Sequence, residues 1–85
     1  MHEVLLSGQA ERDLKRLPAE VFQRVIAAIR ALAMNPRPHG CRKLQGSPRN
    51  DYRNRVGEHR IVYEIDDHQK TVRIMRVRHR RDAYR

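Results

Sequence analysis

The sequence is poor in several residue types, and each shortage narrows what the protein can be. A single cysteine, Cys41, cannot form an internal disulfide bond. The chain has neither a signal-like apolar segment at its start nor a long apolar run, so we expect a cytoplasmic protein that does not enter a membrane. The five histidines, at positions 2, 39, 59, 68 and 79, do not show the spacing of zinc ligands. We therefore predict no metal and no cofactor.

The 85 residues of the chain predict one domain, residues 1–85. The core of a domain of that size supplies only about 3–5 kcal/mol of net stability, so a stabilising partner is expected.

Positive charge is what the chain has in excess. The net charge of the whole chain is +9. Residues 42–85 hold 13 of the 19 lysines and arginines and 6 of the 10 acidic residues. Arginine outnumbers lysine by 16 to 3, and its planar fork suits phosphate oxygens. This favours nucleic-acid contact; the alternative is that the charge only keeps the protein soluble.

The first half of the chain predicts a strand and two helices. A short apolar stretch within residues 2–6 predicts the strand, and Ser7 is the expected N-cap of the first helix. Apolar residues recur at helical spacing over residues 9–17 and 19–34, and Pro18 separates the two segments. Pro36 and Pro38 prevent the second helix from continuing. Its apolar stripe indicates core packing rather than a cofactor site, and comprises Phe22, Val25, Ile26, Ile29, Leu32 and Ala33.

In the second half the apolar period changes from 3.6 to 2. Residues 51–56 and 60–65 alternate in polarity on either side of Gly57 and Glu58, which predicts a hairpin. A polar turn at residues 66–70 precedes a third alternating segment, residues 71–77. The predicted fold is α+β: an N-terminal strand, a helical hairpin and a three-stranded antiparallel meander, with the helices on one face of the sheet.

This order of elements, combined with a specific central run, resembles the RelE/ParE toxin superfamily of bacterial type II toxin–antitoxin systems. The resemblance covers essentially the whole chain. It is carried by Lys43-Leu44-Gln45-Gly46, by the run from Tyr52 to Ile65 and by the ending from Val77 to Arg85. The central run is the specific part, because the element order alone is a weak signal.

The superfamily has two branches with different activities. RelE-like members are ribosome-dependent mRNA endonucleases, whereas ParE-like members inhibit DNA gyrase and are not nucleases. The RelE-like branch is favoured by Arg53 and Arg55, by Arg60 within Gly-x-x-Arg-x-x-Tyr, and by the terminal His-Arg-Arg-x-x-Tyr. The resemblance therefore implies an mRNA interferase. A ParE-like gyrase inhibitor and an inactive basic binding module remain the alternatives.

The residue types suit RNA cleavage, in which the 2′-hydroxyl attacks the adjacent phosphate without a metal. An imidazole, with an ordinary pKa of about 6.5, can transfer protons at neutral pH, and we expect His79 and Tyr84 to take part in proton transfer. Arg60 and Arg80 would stabilise the charge of the phosphorane. The expected contacts to flanking RNA are Lys43, Arg53, Arg55 and Arg81.

Several of these residues also have a purely structural interpretation. Tyr63 shares a face with Ile61 and Ile65 and is expected in the core, as is Tyr52. Arg60 falls on the opposite face and should be accessible to a ligand. His79 by itself would be an ordinary turn histidine.

The resemblance also implies two partners. One is a cognate antitoxin whose neutralising segment is acidic and amphipathic. The other is the ribosome with bound mRNA, because four aromatic side chains give little means of ordering RNA unaided. A toxin–antitoxin hetero-oligomer could bind operator DNA through the antitoxin.

Overall fold

A computed structural model describes residues 1–44 and 50–81. Its elements follow the predicted order, with one additional short strand. The second helix and the first hairpin strand have the predicted bounds, whereas the first helix ends two residues early and the last strand runs two residues longer. The elements are β1 (Glu3–Leu6), α1 (Gly8–Lys15), α2 (Ala19–Met34), β2 (Arg42–Lys43), β3 (Asp51–Val56), β4 (His59–Asp66) and β5 (Thr71–His79).

The strands form a five-stranded sheet in the order β1-β5-β4-β3-β2. The antiparallel meander β3-β4-β5 is confirmed. The whole sheet, however, is mixed, because β1 pairs with β5 in parallel. The two-residue β2, which pairs antiparallel with β3, was not predicted, since two polar residues show no apolar alternation.

The core lies between the two helices and one face of the sheet. Val25, Ile29 and Leu32 of α2 meet the sheet, and Ile61 and Tyr63 of β4 have no exposed surface. The Tyr63 ring stacks on Tyr52 with centroids 6.0 Å apart, and its hydroxyl donates to the Pro36 carbonyl over 2.8 Å. Both tyrosines thus have the packing role expected of them. Burial raises the pKa of Tyr63, with a smaller contribution from Cys41, so this phenol stays protonated.

A β-bulge in β5 decides which side chains face the helices. Val62 pairs with Arg76 but Tyr63 pairs with Ile74, so Met75 is an extra residue in β5. Residues of the α1 region bind the bulged backbone. The Ser7 hydroxyl, which also caps α1, donates to the Met75 carbonyl, and the Asp13 carboxylate accepts from the Val77 amide. Hydrogen bonds made by Ser7 and Asp13, at the start of α1 and within it, therefore hold the bulge in place.

Within residues 1–44 and 50–81, neither helix combines the length and apolar character needed to cross a lipid bilayer.

Candidate nucleic-acid interface

The face of the sheet that points away from α1 and α2 carries a row of arginines. Arg55 of β3 lies opposite Arg60 of β4, which in turn lies opposite Arg78 of β5. In the next row, Arg42 of β2 lies opposite Arg53. Directly opposed residues of neighbouring strands share a face of the sheet, so these five arginines belong to one surface.

The surface is concave near the β3–β4 turn. Two adjoining cavities of about 190 and 240 Å³ share Arg55 and Arg60 in their walls. We call them together the arginine hollow. The first is completed by Gly57, Glu58 and Arg80, and the second by Gly40, Arg42 and Arg53. Four of the predicted site residues are thus brought together: Arg53, Arg55, Arg60 and Arg80.

Arg60 lies at the centre of the hollow. Only 7 % of its surface is exposed, although the sequence indicated an accessible side chain. It nevertheless borders both cavities, so part of the side chain reaches the surface between Arg55 and Arg80. A cation so largely withdrawn from water interacts more strongly with an arriving anion than a fully solvated one does.

Arg80 is held at the rim by Glu58. Its backbone amide donates to the Glu58 carbonyl over 2.7 Å, and its Nη1 lies 3.3 Å from Glu58 Oε2. Both side chains are 62 % exposed, and surface ion pairs of this kind contribute roughly 0–1 kcal/mol. The contact therefore positions Arg80 while leaving it easily redirected towards a phosphate.

His79 does not line the arginine hollow. Its ring meets His59 edge to face, with centroids 5.1 Å apart, in a separate cavity of about 310 Å³ beside α1. We call this cavity the histidine hollow; its walls are Asp13, Arg16, Leu17, His59, Arg76, Val77, Arg78 and His79. The sequence suggested one site for the imidazole and the arginines, whereas the structure forms two.

The bulge at Met75 explains this separation. Simple alternation from Val72 and Ile74, which face the core, would place His79 on the arginine face. The extra residue reverses the alternation, so that Val77 faces the core and His79 follows it towards α1. The same reversal places Arg78, which sequence reasoning missed, opposite Arg60. No alternation rule would have revealed it, because the bulge depends on Ser7 and Asp13.

The remaining predicted residues lie at the margins. Lys43 is exposed on β2 beside Arg42 and Arg53, along an open depression of about 530 Å³. Arg81 is exposed just beyond β5, and its backbone amide donates to Nδ1 of His79 over 3.2 Å. Tyr84 falls outside the described residues. Arg42, the second residue that sequence reasoning missed, belongs to the strand that was not predicted.

The carboxylate of Asp13, which lines the histidine hollow, is already paired. Burial by itself raises the pKa of Asp13, but hydrogen bonds from the Arg76 guanidinium and the Val77 amide lower it by more, so its pKa lies below the ordinary 3.8. In the parts of the chain that the structure covers, no three His, Cys, Asp or Glu side chains gather as metal ligands.

Comparison with known proteins places this geometry in a family. Residues 4–84 match the family model of the ParE toxin of type II toxin–antitoxin systems. Toxin RelG of Mycobacterium tuberculosis is 35% identical over 85 residues, covering 99% of this chain and 97% of the relative. Toxin RelE of the same organism is 32% identical over 88 residues, covering 99% and 87%.

Solved structures show the same fold. The toxin–antitoxin complex RelBE2 of Mycobacterium tuberculosis gives a TM-score of 0.81 at 30% identity over 92% of this chain and 96% of the other. The RelE–RelB complex of Pyrococcus horikoshii gives 0.83 at 25% identity over 93% and 94%. The chain therefore belongs to the RelE/ParE toxin family and is the toxin of a type II toxin–antitoxin system.

Proposed function

We propose that this toxin is a ribosome-dependent mRNA endonuclease that cleaves by attack of a 2′-hydroxyl on the adjacent phosphate. The observation that carries the proposal is the arginine hollow, in which Arg55, Arg60 and Arg80 converge around one concavity. The relatives named RelG and RelE, which match nearly the whole chain, support the same branch of the family.

The arginine hollow supplies the electrostatic part of the reaction. In-line attack gives a phosphorane whose negative charge exceeds that of the phosphodiester, and preorganised cations stabilise it more than the ground state. Arg60, fixed and largely buried, would contact the reacting phosphate. Arg53 and Arg55 would hold the flanking phosphates, and Lys43 and Arg81 would extend the contact at either end. No metal is required in this scheme.

As the 2′-oxygen attacks and the bond from phosphorus to the 5′-oxygen breaks, one proton leaves the 2′-hydroxyl and another is delivered to the departing 5′-oxygen. These proton transfers are assigned to His79 and Tyr84. His79 immediately precedes Arg80, a wall of the arginine hollow, but its ring lies on the α1 side of β5. For His79 to act, the RNA backbone must pass around the end of β5. Each well-placed proton transfer contributes about 10²–10⁴-fold.

Two partners follow from this function. The neighbouring structures are complexes of RelE with RelB, which supports a cognate antitoxin for this toxin. An acidic, amphipathic antitoxin segment would neutralise the arginine face and stabilise a small core, and the resulting complex would bind operator DNA through the antitoxin. The ribosome would present mRNA to the toxin in the cytoplasm. The toxin needs this help because Tyr52 and Tyr63 pack against each other, which leaves it little aromatic surface on which RNA bases could stack.

Gyrase inhibition is the second candidate, because the family model that matches residues 4–84 is that of the ParE toxin. Such an inhibitor acts by binding, without bond cleavage at the arginine hollow. It would leave message intact and block supercoiling of DNA.

One experiment separates the two candidates. Purified toxin is added to a reconstituted translation reaction with primer-extension readout, and in parallel to a gyrase supercoiling assay. The endonuclease is supported if the message is cut in register with its codons, if these cuts appear only when ribosomes are present, and if supercoiling is normal. Intact message with inhibited supercoiling contradicts it and supports the gyrase inhibitor.

A further inference from the structure

The histidine hollow takes no part in the charge stabilisation proposed for the arginine hollow, yet its walls carry the charge of an anion site. Among the residues that the structure describes, three arginines, Arg16, Arg76 and Arg78, line its wall against one aspartate. That aspartate, Asp13, already accepts from Arg76 at 2.9 Å and from the Val77 amide at 2.9 Å. The charges that remain to attract a ligand are therefore positive, and the ligand they suit is an anion.

The imidazoles point to the same class of ligand. Nδ1 of His79 accepts a hydrogen bond from the Arg81 amide, so a neutral His79 ring carries its proton on Nε2. The ring then offers an N–H donor at Nε2 rather than the lone pair that a metal cation needs. His59, held edge to face against it, lines the same cavity.

The size of the cavity also fits. Its volume of about 310 Å³ lies at the lower end of the range for small-ligand sites, about 300–1,000 Å³. This is room for a phosphate group with its neighbouring sugar.

The two hollows meet around the end of one strand. The pair His59–His79 is the last of the β4–β5 ladder, and the bond from the Arg80 amide to the Glu58 carbonyl closes this end of the two strands. On the other side of β5, β1 pairs only as far as Ile74, which leaves residues 76–79 at an edge among the strands the structure describes. Along this edge Arg80 lines the arginine hollow and His79 lines the histidine hollow. Arg78 pairs with Arg60 across the sheet, but it contributes to the wall of the histidine hollow.

We propose that the histidine hollow is a second RNA-backbone site, which holds a phosphodiester next to the one held in the arginine hollow. The inference rests on the proposed function and extends it. Arg16 and Arg78 bind the phosphate oxygens by charge and His59 donates a hydrogen bond to them, while His79 keeps the proton-transfer role proposed above. An RNA strand held in both hollows wraps the end of β5, and this path brings the backbone to His79.

The phosphodiester has two possible sources, the message and ribosomal RNA. Both offer the same chemistry, and the assay therefore has three arms. The toxin is titrated with a single-stranded RNA that carries 2′-O-methyl groups and cannot be cleaved, with ribosomes lacking message, and with ribosomes holding the methylated message in the decoding site.

The variants are Arg16→Gln and His59→Gln, with Arg30→Gln as the matched control. Arg16, which caps the C-terminus of α1, and Arg30 of α2 are both exposed, but Arg30 lines none of the cavities described above. We expect Arg16→Gln to reduce the slope of log affinity against log salt by about one, as for the loss of one phosphate contact. His59→Gln should weaken binding about 2- to 10-fold, the loss of one hydrogen bond.

The arms identify the source. If the two variants bind more weakly only to the methylated message, free or on ribosomes, the histidine hollow holds the message. If they bind more weakly to ribosomes that lack message, it holds ribosomal RNA. Binding by both variants that matches Arg30→Gln in every arm overturns the inference.

An Arg60→Gln variant, run beside them, keeps the two proposals distinguishable. If only Arg60→Gln weakens binding, the proposed function stands and the second site fails. If Arg60→Gln also binds normally, the arginine hollow itself is not an RNA site. Thermal unfolding of each variant checks that the fold is retained.

Discussion

Arg55 and Arg60 lie directly opposite each other on neighbouring strands, one pair away from the β3–β4 turn. Arg78 continues the row on β5. Like charges in directly opposed positions destabilise a sheet, so this row lowers the stability of a small protein that has little to spare. Its presence is explained if the charges act on a ligand.

We expect Arg55→Gln to raise stability while it impairs function. Removing one of two opposed charges should increase the free energy of unfolding by about 0.2–1 kcal/mol, measured by urea denaturation at low salt. The same variant should cleave ribosome-bound message more slowly at limiting toxin. An Arg55→Gln protein that is less stable, or that cleaves at the parental rate, would contradict this interpretation of the row.

Glu58 should compete with RNA for Arg80. Its carboxylate lies 3.3 Å from Arg80 Nη1 at the rim of the arginine hollow, and it must release Arg80 when a phosphate arrives. Glu58→Gln should therefore tighten binding of a non-cleavable RNA about 2- to 5-fold, the scale of a surface ion pair, with little change in stability. Weaker binding would mean that the positioning of Arg80 by Glu58 outweighs its competition with RNA.

Asp13 should link stability to pH. Its carboxylate joins α1 to the bulge through Arg76 and the Val77 amide, and hydrogen bonds to charged groups contribute about 1.5–3 kcal/mol. Asp13→Asn should lose about that much at pH 7. Because the pKa of Asp13 is lower in the folded protein than the ordinary 3.8, its contribution is complete above that value and is lost as the pH falls through the folded pKa.

Urea unfolding at several pH values measures this directly. The difference in stability between the parent and Asp13→Asn should shrink as the pH falls below about 4. A constant difference across that range would show that the hydrogen bonds of Asp13 to Arg76 and to the Val77 amide, rather than the charge of its carboxylate, account for the effect.

The sequence was sufficient for the helices and the meander because their signals are local. The apolar stripe of α2 and the alternation of β3 and β4 each lie within one segment, and the structure has α2 at Ala19–Met34 as predicted. The parallel pairing of β1 with β5 joins residues about 68 apart, such as Glu3 and Thr71, and no local pattern reports it.

The sequence predicted part of the arginine hollow, but it did not predict that His79 lies in a separate cavity. Arg53, Arg55 and Arg60 follow strand alternation across one hairpin, so their shared face could be predicted. His79 and Arg78 changed faces because Met75 is accommodated as a bulge bound by Ser7 and Asp13. A bulge fixed by distant side chains breaks the rule of alternation without leaving a signal in its own strand.

The role of His79 can be separated from that of its neighbour His59. If His79 transfers a proton, His79→Gln should lower the single-turnover cleavage rate at saturating ribosomes about 10²-fold or more. His59→Gln removes the ring packed against it and, as a backbone contact, should change mainly the toxin concentration needed for cleavage. Equal losses of the saturating rate in both variants would show that the pair acts as a structural unit.

The central claim is that the arginine hollow stabilises the reacting phosphate, and Arg60 tests it most directly. Single-turnover cleavage of ribosome-bound message should be compared for the parent, Arg60→Gln and the control Arg30→Gln, at toxin concentrations that saturate the ribosomes. We expect Arg60→Gln to lose about 10²–10³-fold in rate, as for removal of one transition-state donor, and Arg30→Gln to cleave normally. An Arg60→Gln variant that remains folded and cleaves at the rate of Arg30→Gln would contradict the claim.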